Sequence, residues 1–94
     1  MFTGLIEETG HLQRIDNAAN GKRLVISAKQ VLTNLEVGDS IAVDGACQTV
    51  TSTDASSFAV ETMQATLEAT TFQCFRPGQI VNLERPLAVG SRLD

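Results

Sequence analysis

The feature that most constrains the fold of this chain is a hairpin signal at Asp44-Gly45. The dipeptide separates two runs of alternating apolar and polar residues. It favours a type I′ turn, because both central residues of that turn need a positive φ. On the returning strand Cys47, Thr49 and Thr51 share one face, since side chains alternate along a strand. A thiol and two hydroxyls are an unusual core filling, and they indicate a pocket wall for a flat, polar ligand.

The composition of the 94-residue chain restricts its partners and its setting. The net charge is −4 and the basic residues are scattered, so neither nucleic acid nor a membrane surface is an expected partner. No apolar run reaches the length of a membrane span, and the first residues lack the features of a signal peptide, so we expect a cytoplasmic protein. Cys47, Cys74 and His11 are too few for a metal site, and two free thiols are favoured over a disulfide.

Turn signals divide the chain into six predicted strands and two short helical segments. The strands are predicted over 2–15, 22–27, 40–43, 46–51, 58–62 and 79–84, and the helical turns over 28–35 and 63–69. Gly10 predicts a bulge or bend in the first strand, and Ser27 is the predicted N-cap of the first helical segment. Six strands with this spacing favour a small closed barrel, because closure removes unpaired strand edges.

Two further stretches bear on organisation. Residues 35–41 and 75–80 each contain an apolar residue, a glycine turn and a strand, which we interpret as a repeated turn geometry. The apolar-glycine-polar tail, 86–94, resembles the cut end of a longer chain.

Residue types alone indicate few functional groups. A lone cysteine in a strand is usually a small buried apolar filler, and as a nucleophile Cys47 would need a base that only His11 could supply. We therefore interpret Cys47 as a pocket wall and not as a nucleophile. Met63 is a predicted core filler, and His11 a surface or half-buried strand residue. The glutamates Glu61, Glu68 and Glu84 are predicted to lie on solvated faces.

Four stretches together resemble the N-terminal lumazine-binding repeat of the riboflavin synthase family: 1–8 with Gly10, 38–51, Thr66-Leu67 and 81–85. The M-F-T-G opening and the D-G-x-C-x-T-V-T hairpin are the most specific parts. The resemblance implies that residues 1–94 form one six-stranded antiparallel Greek-key barrel with one or two short helices. This barrel would be the N-terminal half of a two-barrel enzyme whose second barrel is absent here.

The resemblance also implies a function. The family's full enzyme converts two molecules of 6,7-dimethyl-8-ribityllumazine into riboflavin and 5-amino-6-ribitylamino-uracil by transfer of a four-carbon unit. It needs no metal or separate cofactor. It is a homotrimer in which an N-terminal barrel faces the C-terminal barrel of another subunit. The present chain would bind riboflavin or the lumazine with little or no turnover, and as an isolated domain it would form an isologous homodimer.

Site residues follow from the same resemblance. The expected catalytic contribution comes from Ser40, Cys47 and Phe2. The expected ligand contacts are Gly4, Leu5, Ile6, Cys47, Gln48, Thr49, Glu61, Thr62, Met63, Gln64, Ala65 and Thr66.

Three departures from the family pattern leave an alternative open. Gln48 stands where the family often has Leu, which suggests a polar contact that points outward or lies at the ligand edge. Ala65 stands where Glu is common, so an acceptor for ribityl hydroxyls is missing, and the chain ends at Asp94. The alternative is a non-catalytic lumazine-binding or flavin-binding protein of the same fold.

Overall fold

The computed structural model describes residues 2–63 and 75–86, and within them six antiparallel strands close into a barrel. The strands are β1 (Glu8–Ala18), β2 (Gly21–Ser27), β3 (Ser40–Val43), β4 (Ala46–Thr53), β5 (Ser57–Met63) and β6 (Ile80–Glu84). Their order around the barrel is β1-β2-β5-β4-β3-β6. The predicted six-stranded antiparallel barrel is therefore confirmed, although the strand predicted from Phe2 begins only at Glu8.

Strand β1 closes the barrel because it is long enough to pair with two strands. Its first four residues pair with β6, and the rest pairs mainly with β2. Gly10 lies in the first part, where a Cβ atom would stand 2.7 Å from the carbonyl oxygen of Ser27. The register shift falls between Leu12 and Arg14, not at Gly10. The glycine is thus required for close approach of two backbones and not for a bulge.

The core fills the barrel with apolar side chains from every strand. In β4 the alternation is regular, with Gln48 and Val50 facing inward. The buried apolar cluster consists of Leu12, Leu24, Ile26, Val31, Leu35, Ile41, Val43, Val50, Phe58, Val60, Phe75, Val81 and Leu83.

The first predicted helix is reduced to one 3₁₀ turn, Gln30–Leu32. The predicted N-cap, Ser27, is wrong because this residue still belongs to β2. The carboxylate of Glu8 takes the capping role, accepting hydrogen bonds from the backbone N–H groups of Lys29 (2.7 Å) and Val31 (2.9 Å). Of the second predicted helix, Met63 is the last residue of β5, and 64–69 lie outside the described residues.

The two glycine turns singled out in the sequence are closed by matching backbone hydrogen bonds. The bonds are Asp39 N–H to Glu36 O (3.0 Å) and Gly38 N–H to Val50 O (2.8 Å) in the first turn, and Gln79 N–H to Arg76 O (3.1 Å) and Gly78 N–H to Leu12 O (2.7 Å) in the second. Each turn therefore docks in the same way on a different strand of the barrel.

This correspondence extends to the whole barrel. If β1 is exchanged with β4, β2 with β5 and β3 with β6, the order of the strands around the barrel stays the same. Leu12 pairs with Ile26 just before the register shift of β1, and Val50 pairs with Val60 just before the register shift of β4. The barrel thus has an internal two-fold axis, of which the sequence shows only the repeated turn.

An ion pair fastens the segment before β1 to the end of β6. Both carboxylate oxygens of Glu7 accept hydrogen bonds from the Arg85 guanidinium, at 3.0 and 2.5 Å. Arg85 also donates to the carbonyl oxygen of Thr33 at 2.6 Å. The hydrogen bonds from Arg85 hold the pKa of Glu7 below its ordinary value of 4.5, although partial burial acts in the opposite direction.

We expect Glu7→Gln to lower the free energy of unfolding at neutral pH by about 1 kcal/mol or less, and by a smaller amount in acid. Because the folded-state pKa of Glu7 is lowered, the pair stabilises the fold above pH 4.5 and loses this contribution as pH falls through the folded-state pKa. Urea unfolding of both chains, followed by circular dichroism from about pH 7 to about pH 3, measures the difference. A difference that stays constant with pH would contradict the role of the pair.

Candidate functional site

The hairpin of β3 and β4 forms the predicted turn. Asp44 and Gly45 have φ angles of 47° and 86°, as a type I′ turn requires. On β4 the side chains of Cys47 and Thr49 are exposed, whereas Gln48 between them is buried. The thiol and hydroxyl face therefore lies on the outside of the barrel, where Cys47 does not fill the core.

Strand β3 adds a hydroxyl to the same outer face. Ser40 pairs with Thr49, and Ala42 pairs with Cys47, whose thiol is free. Paired residues of antiparallel strands point to the same side, and diagonal neighbours on one face are within reach of each other. The predicted catalytic residues Ser40 and Cys47 are therefore diagonal neighbours on one surface.

Strand β5 borders this surface on the other side of β4. Val50 pairs with Val60, so Thr49 and Glu61 lie beside each other on the outer face. Glu61 is exposed, and Met63 at the end of the strand is 54% exposed. The prediction that Met63 fills the core is wrong, since its position in the alternation of β5 places it outside.

Two of the predicted ligand contacts point into the barrel. Gln48 and Thr62 are buried, and the Thr62 hydroxyl donates a hydrogen bond of 3.0 Å to the Gln48 Oε1 atom. The outward polar contact suggested for Gln48 is therefore wrong. Only the backbone of these two residues is available on the outer face, and their side chains brace β4 against β5 from within.

The segment before β1 is held beside the hairpin by Glu84. This carboxylate accepts hydrogen bonds from Thr3 N–H (2.5 Å), the Thr3 hydroxyl (2.9 Å) and Gly4 N–H (3.1 Å). Glu84 pairs with Ala42 in the sheet, next to Cys47. The segment thereby presents two apolar side chains to solvent beside the hairpin, Leu5 (74% exposed) and Ile6 (57% exposed).

A small cleft of about 270 Å³ separates this segment from the hairpin turn. Gly4 and Ile6 line one wall, and Asp44 and Asn82 line the other. Two hydrogen bonds fix the second wall, from Asp44 N–H to Asn82 O (2.8 Å) and from Asn82 N–H to Asp44 Oδ1 (2.7 Å). The hairpin turn is consequently tied to β6 and does not stand free.

The structure therefore collects most of the predicted site residues on one face. Phe2 is half-buried at the start of the described chain, and Gln64, Ala65 and Thr66 lie outside the described residues. The sequence did not indicate Glu84 as an anchor, because its partners are about eighty positions away and no local pattern links them.

A larger depression, of about 640 Å³, lies beside β1, and none of the predicted site residues lines it. Among residues 2–63 and 75–86, no group of three or more His, Cys, Asp or Glu side chains is arranged to hold a metal ion. Within the same ranges, no helix is long and apolar enough to cross a membrane.

The outer face of this closed barrel combines a thiol, hydroxyl groups and one carboxylate with exposed apolar side chains. Such a mixture of apolar surface and a few polar groups is typical of barrels that bind small ligands. The chain belongs to the lumazine-binding domain family, whose model matches residues 3–86. The resemblance seen in the sequence is thereby confirmed.

Similar proteins include two enzymes and two solved structures. The chain is 41% identical to the riboflavin synthase of Bacillus subtilis over 92 residues, 98% of this chain and 43% of that protein. It is 40% identical to the riboflavin synthase of Mycobacterium tuberculosis over 94 residues, 99% of this chain and 47% of that protein. The chain thus spans about half the length of the curated relatives it matches.

The solved structures are crystal structures of LumP. The complex with riboflavin matches with a TM-score of 0.86 and 28% identity, over 100% of this chain and 51% of that one. The complex with 6,7-dimethyl-8-(1'-D-ribityl) lumazine matches with a TM-score of 0.83 and 28% identity, over 92% of this chain and 49% of that one.

We expect Glu84→Gln to release the segment before β1 without unfolding the barrel. The neutral amide keeps one acceptor oxygen but loses the charge that strengthens the bonds from Thr3 and Gly4. Amide hydrogen exchange measured by NMR should become about five- to tenfold faster at these two residues. The Gly38 amide, bonded to Val50 O, serves as the internal control and should not change. Equal acceleration at Gly38 would mean a general loss of stability and not a local release.

Proposed function

We propose that this chain binds riboflavin or 6,7-dimethyl-8-ribityllumazine on the outer face of β3, β4 and β5. The observation that carries the proposal is the juxtaposition of Cys47 and Thr49 with Met63 and the exposed Leu5 and Ile6. Apolar side chains offer a platform for a flat ring, and hydroxyl groups can bond the carbonyls at its edge. Support comes from family membership and from the LumP structures with these two ligands.

Different residues are proposed to contact the ring and the ribityl chain of the ligand. The ring lies against residues 4–6 and 47–49, with Thr49 bonding its edge and Cys47 beside the reacting part. The ribityl chain extends along 61–66, where the exposed carboxylate of Glu61 is an acceptor for its hydroxyls. Gln48 and Thr62 contribute through their backbone and by bracing the surface from inside.

We further propose that this barrel supplies half of a riboflavin synthase active site. Similarity to riboflavin synthases, of which the chain spans about half, supports this proposal. The complete enzyme, a transferase, would move a four-carbon unit between two lumazines held face to face by an N-terminal and a C-terminal barrel of a homotrimer. Stacking the rings provides proximity, and Ser40, Cys47 and Phe2 border the reacting edge.

The chain alone would bind ligand with little or no turnover, because the facing barrel excludes water and completes the site. As an isolated domain it would pair isologously with a copy of itself. A non-catalytic lumazine-binding or flavin-binding protein of the same fold is the second candidate, and Ala65, at a position where the family commonly has Glu, favours it.

Thr49→Val is expected to weaken riboflavin binding about five- to tenfold, because a near-isosteric change removes the hydroxyl proposed to bond the ring edge. The chain has no Trp or Tyr, so changes in flavin fluorescence report the ligand directly. Thr53→Val on the same strand is the matched control, since Thr53 is exposed but lies away from the predicted contacts. Equal affinities in both variants would argue against this placement, and no fluorescence change at tens of micromolar of the unaltered chain would exclude binding itself.

A chain continued into a second barrel, as in its longer relatives, should convert the lumazine to riboflavin, whereas the 94-residue chain should not. In the longer protein Ser40→Ala should lower turnover about tenfold or more while ligand still binds, if the hydroxyl acts on the reacting edge. Absorbance of the riboflavin formed measures both. Binding without turnover in the longer protein would favour the non-catalytic candidate.

A further inference from the structure

The internal two-fold axis gives the proposed ligand face a counterpart on the opposite side of the barrel. Strand β1 matches β4 through Leu12 and Val50, and β2 matches β5 through Ile26 and Val60. These two matches fix the alignment of the strands, so every other position has a defined equivalent. The equivalent surface positions are Thr9 for Cys47, His11 for Thr49, Ser27 for Glu61 and Lys29 for Met63. Thr9 and His11 are exposed, like their counterparts.

These counterparts line the depression of about 640 Å³ beside β1. We name it the β1 groove. Its polar lining residues are Glu8, Thr9, His11, Ser27, Lys29 and Ser56, and its apolar lining residues are Ala28 and Ala55. Its volume falls within the range of roughly 300–1,000 Å³ seen for small-molecule sites. The symmetry and the depression are independent observations, and they point to the same residues.

Hydrogen bonds among the lining residues fix the walls of the β1 groove in place. Glu8 accepts from the backbone N–H of Lys29 at 2.7 Å, which fixes the end wall. Ala28 N–H donates to Ser56 O at 3.2 Å, and the Ser27 hydroxyl donates to His11 O at 3.3 Å. The groove is therefore a built feature of the barrel and not a gap between loose loops.

The chemistry of the groove differs from that of its counterpart. Lys29 replaces a thioether, and His11 replaces a hydroxyl. Within residues 2–63 and 75–86, neither of these two side chains has a hydrogen-bond partner. Glu8 is the one carboxylate of the lining, and both of its oxygens already accept backbone N–H groups. The groove therefore offers an unpaired cation beside a surface whose counterpart is proposed to hold a flat ring.

We propose that the β1 groove binds a second ligand, a flat heteroaromatic ring that carries a phosphate group. The ring lies against Ala28 and Ala55, and the phosphate accepts hydrogen bonds from Lys29 and His11. The ring part of this inference rests on the proposed function of the outer face of β3, β4 and β5, whereas the anion part rests on the groove itself.

The test uses flavin mononucleotide and riboflavin as probes on the ¹⁵N-labelled chain. We expect flavin mononucleotide to shift the amide signals of His11, Ser27 and Lys29 in a saturable way. Riboflavin should shift those of Cys47 and Thr49. Flavin mononucleotide that shifts no groove amide would overturn the inference.

Variants separate a phosphate site from general charge attraction. Lys29→Gln should weaken binding of flavin mononucleotide at the groove about five- to tenfold, because one charge-assisted hydrogen bond is lost, and should leave riboflavin binding unchanged. Arg14→Gln is the charge-matched control, since Arg14 is exposed and bonded to Asp16 outside the groove. Equal weakening by both variants would overturn the inference in favour of non-specific attraction.

The two proposals can fail separately. Groove shifts with flavin mononucleotide, without riboflavin shifts at Cys47 and Thr49, would remove the proposed function and support the groove. If riboflavin shifts the signals of Cys47 and Thr49, and flavin mononucleotide shifts only those same signals, the proposed function would be supported and the groove inference would be overturned.

Discussion

The pairing of β1 with both β2 and β6 is the constraint on which the rest of the structure depends. It turns an open sheet into a closed barrel, so no strand is left with an unpaired edge along the ring. The pairing of β1 with β6 also brings the end of β6 beside the segment before β1, where Glu84 accepts hydrogen bonds from Thr3 and Gly4. The same closure explains Gly10, since two backbones meet where any side chain would collide with Ser27.

The parts of the fold that follow from local chemistry were predictable from the sequence. Asp44-Gly45 specifies its turn through two positive φ angles, and alternation along β4 correctly separates Cys47 and Thr49 from Gln48. Which of the two faces is the inner one was not predictable, because a buried glutamine needs a partner from another strand. That partner, Thr62, is fourteen positions away.

The anchors of the site were hidden from the sequence for a related reason. Glu84 looks like any surface carboxylate until the barrel closes, and Asp44 looks like an ordinary turn residue until Asn82 is beside it. Both bind backbone N–H groups, which every residue type except proline carries, so no characteristic partner residue gives a signal. Met63 illustrates the opposite difficulty, because an apolar side chain at the end of a strand fits a core or an exposed platform equally well.

The internal two-fold axis has a consequence for how such a barrel can change over time. The inward positions of its two halves fill one common interior, so a change of side-chain volume in one half must be accommodated by the other. The outward positions do not share an interior, so a change of side chain in one half needs no accommodation by the other. Thr9 and Cys47, or Lys29 and Met63, occupy equivalent places yet differ in charge and reactivity at no cost to packing. A symmetric interior can thus support two surfaces that diverge independently, each free to acquire its own ligand.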